Sequence, residues 1–273
     1  MITHKSNKEL AFLHDLFVAT DWGERFALLF DEHVVLPDKG RALYLASGTG
    51  GHAIALQERA EGLKFICIDE QEEYLELARA KATAVRDSAE FRQEKVDQLT
   101  LDDDHFDLVV GDGSLIVPQR IPKMLSEMAR VVKPGGVVAL GLPTASSFGE
   151  FFSIYWEVLV NCGLVVHESH IENLITELPT VSEIEELAGR EGLDEVTSWS
   201  RIEEFNYDSG EQFINSPLIS DFLLKRWLEF IPEDSRERVR QEVSRVVNED
   251  RHEAEFSLSV KATLVLGRKS RSN

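Results

Sequence analysis

The 273-residue sequence is poor in cysteine, in basic residues and in long apolar runs. Its two cysteines, Cys67 and Cys162, belong to no CxxC pair, which favours a reduced chain over a disulfide framework. With 29 basic against 49 acidic residues the formal net charge is −20, a field that repels phosphate backbones and anionic membrane surfaces. No apolar run approaches membrane-spanning length, and the N-terminus lacks an apolar signal core. We expect a cytoplasmic protein without nucleic-acid or membrane partners.

What the sequence does contain is an ordinary core, with 43% hydrophobic residues, and one conspicuous strand–turn–helix pattern. Ala42–Leu45 predicts a short buried strand, and residues 46–51 (ASGTGG) include no bulky side chain except Thr49. From His52 onward the apolar spacing is that of a helix. This arrangement brings backbone N–H groups close to a ligand at a helix N-terminus, so a nucleotide-type ligand is the first hypothesis.

Strands and helices alternate after this turn with short connections, which predicts a parallel, doubly wound sheet. The further strands are predicted at Leu63–Asp69, Glu90–Val96, Phe106–Val110 and Val137–Leu142. Ligands of such sheets bind at the carboxyl ends of the strands. On that rule one crevice is lined by residues 46–50, 69, 95–97 and 112–114.

The flanking regions have a different pattern. Two helices are predicted before the first strand, the second capped by Asp21. Leu193–Tyr207 and Phe256–Leu266 predict two late strands separated by a mostly helical stretch. We expect a single domain made of N-terminal helices (1–40), a ligand-binding core (41–143) and a cover (144–273) with a helical insertion at about 208–252.

Two ligand classes fit the glycine turn. Residues 48–53 satisfy GxGxxA and Asp69 lies about twenty residues on, as in a nicotinamide-dinucleotide fingerprint, although this match alone is weak. The wider pattern, from about Arg41 to Pro143, resembles class I S-adenosylmethionine-dependent methyltransferases. The resemblance rests on LYLASGTGGHA, on Asp69 at the end of a strand, on FDLVV and on MLSEMARVVKPGGVVAL, where the Lys133–Gly136 corner is the most specific feature.

The resemblance implies a Rossmann-like, doubly wound, seven-stranded sheet, mostly parallel with an antiparallel edge strand. It also implies S-adenosylmethionine as cofactor and direct methyl transfer to a small-molecule acceptor. Asp69 would accept hydrogen bonds from the ribose hydroxyls, and Asp112 and Ser114 would lie nearest the transferred methyl. The full set of implied cofactor-binding residues is Ala46, Ser47, Gly48, Gly50, Asp69, Glu70, Val96, Asp97, Asp112 and Ser114.

Three positions depart from the family pattern. Tyr44 stands where an acid is frequent, and Ala46 replaces the first glycine of the turn. Lys95 stands where an acid often meets the adenine amino group and cannot accept that hydrogen bond, so Asp97 is the expected substitute. These departures keep open a second hypothesis, a methyltransferase-fold protein that binds a ligand or partner without catalysis.

Methyl transfer from a sulfonium needs alignment of the acceptor and needs a base only when the acceptor must lose a proton. His167 and His170 are weak candidates for that base, against the simpler interpretation of exposed histidines in a connecting segment. Their H-x-x-H spacing is not a helix-face zinc pair, and no cysteine cluster supports one, so no metal is expected.

Overall fold

The computed structural model describes residues 5–86, 88–164, 168–250 and 255–271. Seven strands form one sheet in the order β3-β2-β1-β4-β5-β7-β6. The strands are β1 Gly40–Leu45, β2 Leu63–Asp69, β3 Glu90–Gln93, β4 Phe106–Asp112, β5 Val132–Pro143, β6 Leu193–Tyr207 and β7 Phe256–Lys269. The helices are α1 Asn7–Leu13, α2 Glu24–His33, α3 Gly51–Arg59, α4 Glu72–Val85, α5 Ile121–Val131, α6 Gly149–Asn161, α7 Glu168–Thr176, α8 Val181–Arg190, α9 Gly210–Asn215, α10 Leu224–Trp227 and α11 Glu233–Asp250.

Strands β1 to β5 are parallel, and β1 is the central one of these five. Tyr44 on β1 is opposite Cys67 on β2 and Val110 on β4. Strand β7 runs antiparallel to β5, because the backbone of Thr144 bonds to Lys261 while Gly135 accepts from the Arg268 side chain. The predicted seven-stranded, mostly parallel sheet with an antiparallel edge is confirmed.

The chain divides into two compact units, where the sequence suggested one domain with a cover. The sheet unit contains the described residues of 5–142, 180–200 and 262–271, and the aromatic unit contains those of 143–179 and 201–261. Strands β6 and β7 contribute residues to both units. The family-like pattern of the sequence, from Arg41 onward, falls almost entirely in the sheet unit.

The core of the sheet unit is built from strands whose successive side chains are apolar and from one strongly amphipathic helix, α5. Helix α5 buries Met124, Leu125 and Met128 against the sheet, and these side chains are at most 1% exposed. A parallel strand covered on both faces needs apolar side chains at successive positions, as in β4 from Leu108 to Val110. The packing of helices on this sheet fixes where the carboxyl ends of its strands lie.

The N-terminal region differs from the prediction of two separate helices. Helix α1 begins at a capping box made by Ser6 and Glu9, and the chain stays helical through His14–Gly23, which is a π-helix, into α2. The predicted cap at Asp21 is wrong: Asp21 lies inside the π-helix and pairs with Arg25 one turn later. Wide π-helical turns are uncommon and recur at functional sites.

Several boundaries in the sheet also differ from the sequence prediction; β4 runs on to Asp112 and β7 to Lys269. Strand β3 ends at Gln93 rather than at Val96, because the backbone turns at Lys95, which bridges to Gln98. Strand β5 begins already at Val132, so the Lys-Pro-Gly-Gly corner belongs to the strand.

The aromatic unit packs around Trp227. The Trp227 ring stacks on Phe151 with centroids 4.2 Å apart, and its carbonyl accepts a 3.0 Å hydrogen bond from the Tyr155 hydroxyl. The aromatic stripe of α6 is therefore used in the core of this unit, as its helical spacing suggested. None of the helices described above is both long enough and apolar enough to cross a lipid bilayer.

Candidate ligand-binding site

The glycine turn between β1 and α3 is held by its own backbone. The Ser47 amide donates to the Ile68 carbonyl at 3.0 Å, and the Gly50 amide donates to the Ser47 carbonyl at 3.0 Å. Gly50 has φ of 77°, and a Cβ placed there would lie 2.8 Å from the Cβ of Ala78. Only glycine fits that position. Ala46 adopts φ of 53°, a left-handed conformation that L-residues disfavour.

Asp69, at the end of β2, is fixed to this turn. One carboxylate oxygen accepts from the Gly48 amide at 2.9 Å and the other from the Gln71 amide at 2.9 Å. The side chain is 8% exposed. Burial raises the pKa of the Asp69 carboxyl, and the backbone donors oppose that rise. A carboxylate offers about four acceptor positions, so the two amides leave capacity for a vicinal diol.

The next acidic positions are joined by Arg120. Its guanidinium donates to both oxygens of Asp97, at 2.9 and 2.7 Å, and to both oxygens of Glu70. Glu70 also accepts from the backbone amide of Val96 at 3.2 Å. The hydrogen bonds from Arg120 hold the pKa of Asp97 below its usual range. Lys95 is exposed.

This geometry changes the expectation for Asp97. Its two oxygens are engaged by Arg120, so its evident role is to orient that guanidinium. The acceptor beside the Val96 amide is Glu70 instead. Sequence reasoning missed Arg120, which precedes α5 and has no family signature.

Asp112 and Ser114, after β4, form a second polar group at the carboxyl ends. The Ser114 amide donates to Asp112 at 2.9 Å, and burial raises the pKa of Asp112. The indole N–H of Trp22, on the π-helix, donates to the Ser114 hydroxyl at 3.0 Å. Trp22 was also missed, since its position in an amphipathic N-terminal helix gave no signal beyond packing.

Tyr44, at the position where the family often has an acid, is buried and begins a series of hydrogen-bonded side chains. Its hydroxyl lies 2.9 Å from Nδ1 of His52, whose Nε2 lies 3.3 Å from Asp31. Arg59 pairs with the same aspartate. Burial raises the pKa of the Tyr44 phenol well above its usual range, so the phenol stays protonated at neutral pH. The position is filled by a packed, neutral hydroxyl rather than by a charge.

The start of the π-helix lies against the glycine turn. Thr49 donates to the carboxylate of Asp15, and Lys81 pairs with that carboxylate and reaches the Thr49 hydroxyl at 3.2 Å. A Cβ added to Gly48 would lie 3.0 Å from the His14 ring. That ring stacks on Tyr74 with centroids 4.7 Å apart.

The two histidines considered as bases are not part of this arrangement. His170 lies on α7 in the aromatic unit, where its ring stacks on Phe230 at 4.8 Å, and His167 lies outside the described residues. No three histidine, cysteine or acidic side chains that could hold a metal ion come together in the described parts of the chain. The ten residues expected at the cofactor all lie in the sheet unit. Hydrogen bonds join Gly48 to Asp69 and Val96 to Glu70, while Ser114 bonds to Asp112 within its own loop.

The sequence profile of the methyltransferase domain family matches residues 42–136. The matched segment begins in β1 and ends in β5, and so includes the glycine turn, Asp69 and the Lys133–Gly136 corner. Together with the strand order, this match defines a class I methyltransferase fold, and the resemblance noted from the sequence is confirmed.

Individual proteins are similar in the same way. A demethylmenaquinone methyltransferase of Deinococcus radiodurans is 36% identical over 130 residues, which are 46% of this chain and 54% of that enzyme. The chain thus spans about half the length of the relatives it matches.

Two solved structures share the fold. The YcgJ protein of Bacillus subtilis has a TM-score of 0.59 at 18% identity, over 91% of this chain and 100% of that chain. Phosphoethanolamine N-methyltransferase 2 of Haemonchus contortus, solved with phosphomonomethylethanolamine and S-adenosylhomocysteine, has a TM-score of 0.59 at 15% identity, over 99% of this chain and 59% of that chain.

Proposed function

We propose that the protein is an S-adenosylmethionine-dependent methyltransferase that acts on a small-molecule acceptor. The observation that carries the proposal is the turn itself: Gly48 and Asp69 are hydrogen-bonded to each other within a segment that matches the methyltransferase domain. A carboxylate held by two backbone amides presents acceptor oxygens in a fixed direction, which suits the two hydroxyls of a ribose.

The charges around the turn favour this cofactor over a dinucleotide. Asp15 accepts a hydrogen bond from Thr49, Asp69 accepts one from Gly48, and Asp112 adds to the rise that burial causes in the pKa of Tyr44. Lys81 offsets Asp15 but none of the other carboxylates, so a pyrophosphate on the N-terminus of α3 would lie near the acidic Asp112, whereas the sulfonium and ammonium groups of S-adenosylmethionine are cations. The helical N-terminal region and the Lys133–Gly136 corner also favour S-adenosylmethionine over a dinucleotide.

The residues present fit the cofactor by position. The amino-acid end would lie over Gly48 and Gly50, the ribose at Asp69, and the base beside Glu70 and Val96. When bound, the sulfonium supplies a methyl group that leaves by direct displacement. The chain's own contribution would be to align the acceptor and exclude water. Asp112, at the carboxyl end of β4 beside Ser114, is the acidic side chain that would take a proton from an acceptor that must lose one.

The acceptor class is supported by the relatives. The Deinococcus radiodurans enzyme is named for demethylmenaquinone, and the Haemonchus contortus enzyme was solved with phosphomonomethylethanolamine; both are small molecules. The net charge of −20 disfavours nucleic-acid acceptors.

Calorimetric titration with S-adenosylhomocysteine tests the proposal. We expect measurable heat and a raised melting temperature, because a ligand that binds only the folded state stabilises it. A titration with NADH, followed by its fluorescence, should show no binding. Absence of heat and of a thermal shift at millimolar S-adenosylhomocysteine would contradict the proposal, and binding of NADH would favour a nicotinamide-dependent enzyme.

A second candidate is a protein of this fold that binds the cofactor without turnover. It is favoured by Tyr44, which places a neutral hydroxyl where the family often has an acid. It is also favoured by the hydrogen bonds that Val96 makes to Glu70 and that Asp97 accepts from Arg120. Turnover of any acceptor, detected as formation of S-adenosylhomocysteine, would exclude it.

A further inference from the structure

Strand β6 is the last strand of the sheet on one side. It is 15 residues long, from Leu193 to Tyr207, and its neighbour on the inner side is β7. Within the described ranges no strand pairs with its outer side, so its backbone N–H and C=O groups are offered there to a further strand. The edge strand at the other end of the sheet, β3, has only four residues. A long edge such as β6 is a template for pairing with another chain.

Little in β6 blocks such pairing. Proline, bulges and charges are the usual protections of a long edge. β6 has no proline, and its residue with positive φ, Glu195, lies near its start. Residues 201–207 have one basic and two acidic side chains, a net charge of −1 in a chain whose net charge is −20. The edge around Ile202, which is 55% exposed, is therefore open to a partner.

The geometry of antiparallel pairing restricts how a second copy of β6 can add to this edge. Residues directly opposite each other point to the same face of the sheet, and successive residues of a strand point to opposite faces. A two-fold axis perpendicular to the sheet therefore lies midway between the two copies of one residue. Residues at equal distances before and after that residue are then opposite each other across the two strands.

An axis at Ile202 matches the side chains of the two copies. It places Arg201 opposite the Glu203 of the second copy, twice by symmetry, and Ile202 opposite its own copy. Opposite charges and matched apolar side chains are favourable cross-strand pairs. From 197 to 207 no two like charges are opposite each other, since Glu204 is opposite Ser200.

The neighbouring axes are unfavourable. An axis at Arg201 places two arginines opposite each other, and an axis at Glu203 or Glu204 places two glutamates opposite each other. An axis at Ser200 places Ile202 opposite a serine and Glu203 opposite a threonine. The side chains of β6 therefore favour the axis at Ile202.

We propose that the outer edge of β6 is an interaction surface for a second copy of this chain, paired antiparallel about a two-fold axis at Ile202. Arg201, which lies 3.9 Å from Glu203 of its own strand, is then directly opposite the Glu203 of the second copy. The two Ile202 side chains contact each other and lose the exposure they have in the single chain. The pairing joins the two copies edge to edge through backbone hydrogen bonds, and it does not depend on the cofactor.

Sedimentation equilibrium of two matched variants tests the surface. The wild type should sediment as a dimer. Ile202→Lys should be monomeric at the same concentration, because it places two ammonium groups opposite each other at the axis. Ile175→Lys, on α7, makes the same change at a side chain that is 49% exposed, and this variant should remain dimeric. The melting temperatures show whether both variants are folded.

An exchange of charges tests the register. Arg201→Glu or Glu203→Arg alone should raise the dissociation constant of the dimer by about tenfold, since each creates two pairs of like charges across the axis. The double variant Arg201→Glu/Glu203→Arg restores both opposite pairs and should dimerise as the wild type does. Because these substitutions also change the 3.9 Å pair within each strand, the melting temperatures are compared at a dilution at which all variants are monomeric.

A disulfide across the axis tests the distance between the copies. Residues directly opposite each other in antiparallel strands have Cα atoms about 4.5–5.5 Å apart, which a disulfide can bridge. Ile202→Cys should therefore form a covalent dimer when oxidised glutathione is the oxidant. In the control Glu204→Cys the two substituted positions are about 14 Å apart along the strands, and no covalent dimer should form. The natural Cys67 and Cys162 are buried.

Four results would overturn the proposal. The first is a wild type that stays monomeric up to about 1 mM, a concentration at which even a weak pair associates. The second is a dimer that survives Ile202→Lys, and the third is a dimer that the exchange of charges does not restore. The fourth is equal covalent dimer from Ile202→Cys and Glu204→Cys. None of these results depends on binding of S-adenosylhomocysteine, so the proposed function is tested separately.

Discussion

The two halves of the candidate ligand-binding edge are built in different ways. In the turn half, Asp69 and Gly48 are held by backbone hydrogen bonds in a buried setting, and burial raises the pKa of the carboxyl. In the clamp half, Glu70 and Asp97 are held by one arginine, all three side chains are partly exposed, and the hydrogen bonds from Arg120 lower the pKa of Asp97. The first half depends on the path of the chain, whereas the second depends on side chains that solvent and salt can reach.

This difference predicts which half tolerates amino-acid substitutions. A buried carboxylate bonded to amides costs much to remove, because its donors would be left unsatisfied. Exposed ion pairs contribute little each and are screened by salt. We therefore expect substitutions in the turn half to alter folding and ligand binding strongly, and those in the clamp half to have small, salt-dependent effects.

The largest effect concerns His14, which is packed on the turn half. Burial lowers its pKa to about 4, against about 6.5 in an unfolded chain. The unfolded state therefore binds the proton first, and this histidine's share of stability, on the order of 3 kcal/mol, is present above pH 6.5 and lost as the pH falls to 4. The measurement is the free energy of unfolding at pH 7 and at pH 4.5, in the wild type and in His14→Asn.

Comparison of the wild type with His14→Asn controls for the other groups that titrate between pH 7 and pH 4.5. Asp15 and Lys81 both act on the charge of His14, and the raised pKa values of Asp69 and Asp112 change stability in the opposite direction in this window. Only the difference between wild type and variant reports His14. If the two proteins lose the same stability on acidification, His14 is not buried in its neutral form.

Removal of the Asp69 carboxylate should have the next largest effect. Asp69→Ala should weaken binding of S-adenosylhomocysteine by about 1.5–3 kcal/mol, the range for hydrogen bonds to a charged group. Asp69→Asn, which keeps one acceptor and the shape, should lose less. Calorimetry gives the affinities, and the melting temperature shows whether each variant is folded. Normal affinity in a folded Asp69→Ala protein would remove Asp69 from the site.

The clamp half should respond more weakly. Arg120→Gln leaves Glu70 and Asp97 without their shared cation and should lower the free energy of unfolding by about 1 kcal/mol at low salt. The loss should shrink in 1 M NaCl, because salt screens the exposed charges. Arg92→Gln, which breaks a single exposed pair with Glu90, is the matched control and should change less. A loss that is large and independent of salt would mean that the clamp is not a surface feature.

The smallest effect tests strain in the turn half. Ala46 has φ of 53°, so Ala46→Gly should relieve about 1 kcal/mol of left-handed strain and cost about 0.5 kcal/mol of chain entropy. Chemical denaturation should show a net gain of about 0.5 kcal/mol by that difference. Ala53→Gly, inside helix α3, should lower stability instead. A loss of stability in Ala46→Gly would show that the positive φ is not strained.

The alternating part of the fold could be predicted well from the sequence. Strand β2, Leu63–Asp69, and strand β6, Leu193–Tyr207, have the predicted bounds. Apolar runs between glycine and acidic positions are a local signal, and parallel sheets amplify it because both faces are covered. The end of β3 was overestimated, because the backbone turns at Lys95, which bridges to Gln98, and the apolar pattern of residues 90–96 does not show that turn.

The site could be predicted only in part. Gly48, Gly50 and Asp69 are visible because a tight turn and a strand-end acid have fixed spacing, and a hydrogen bond joins Gly48 to Asp69. Arg120, Trp22, His14 and Asp15 have no such spacing relative to the turn. Their roles depend on which helices pack over it, and a helix that packs at a distance in sequence leaves no local pattern. Their assignment to a ligand remains a proposal.

The sequence by itself determined the sheet, its order of elements and the backbone-held turn, because hydrophobic period, glycine and strand-end acids act over a few residues. The tertiary structure decided that Asp97 orients an arginine while Glu70 meets the Val96 amide. It also decided that the N-terminal region is a π-helix fastened across the turn rather than two helices beside it. The physical reason is that these contacts join segments far apart in the chain, where only packing selects the partners.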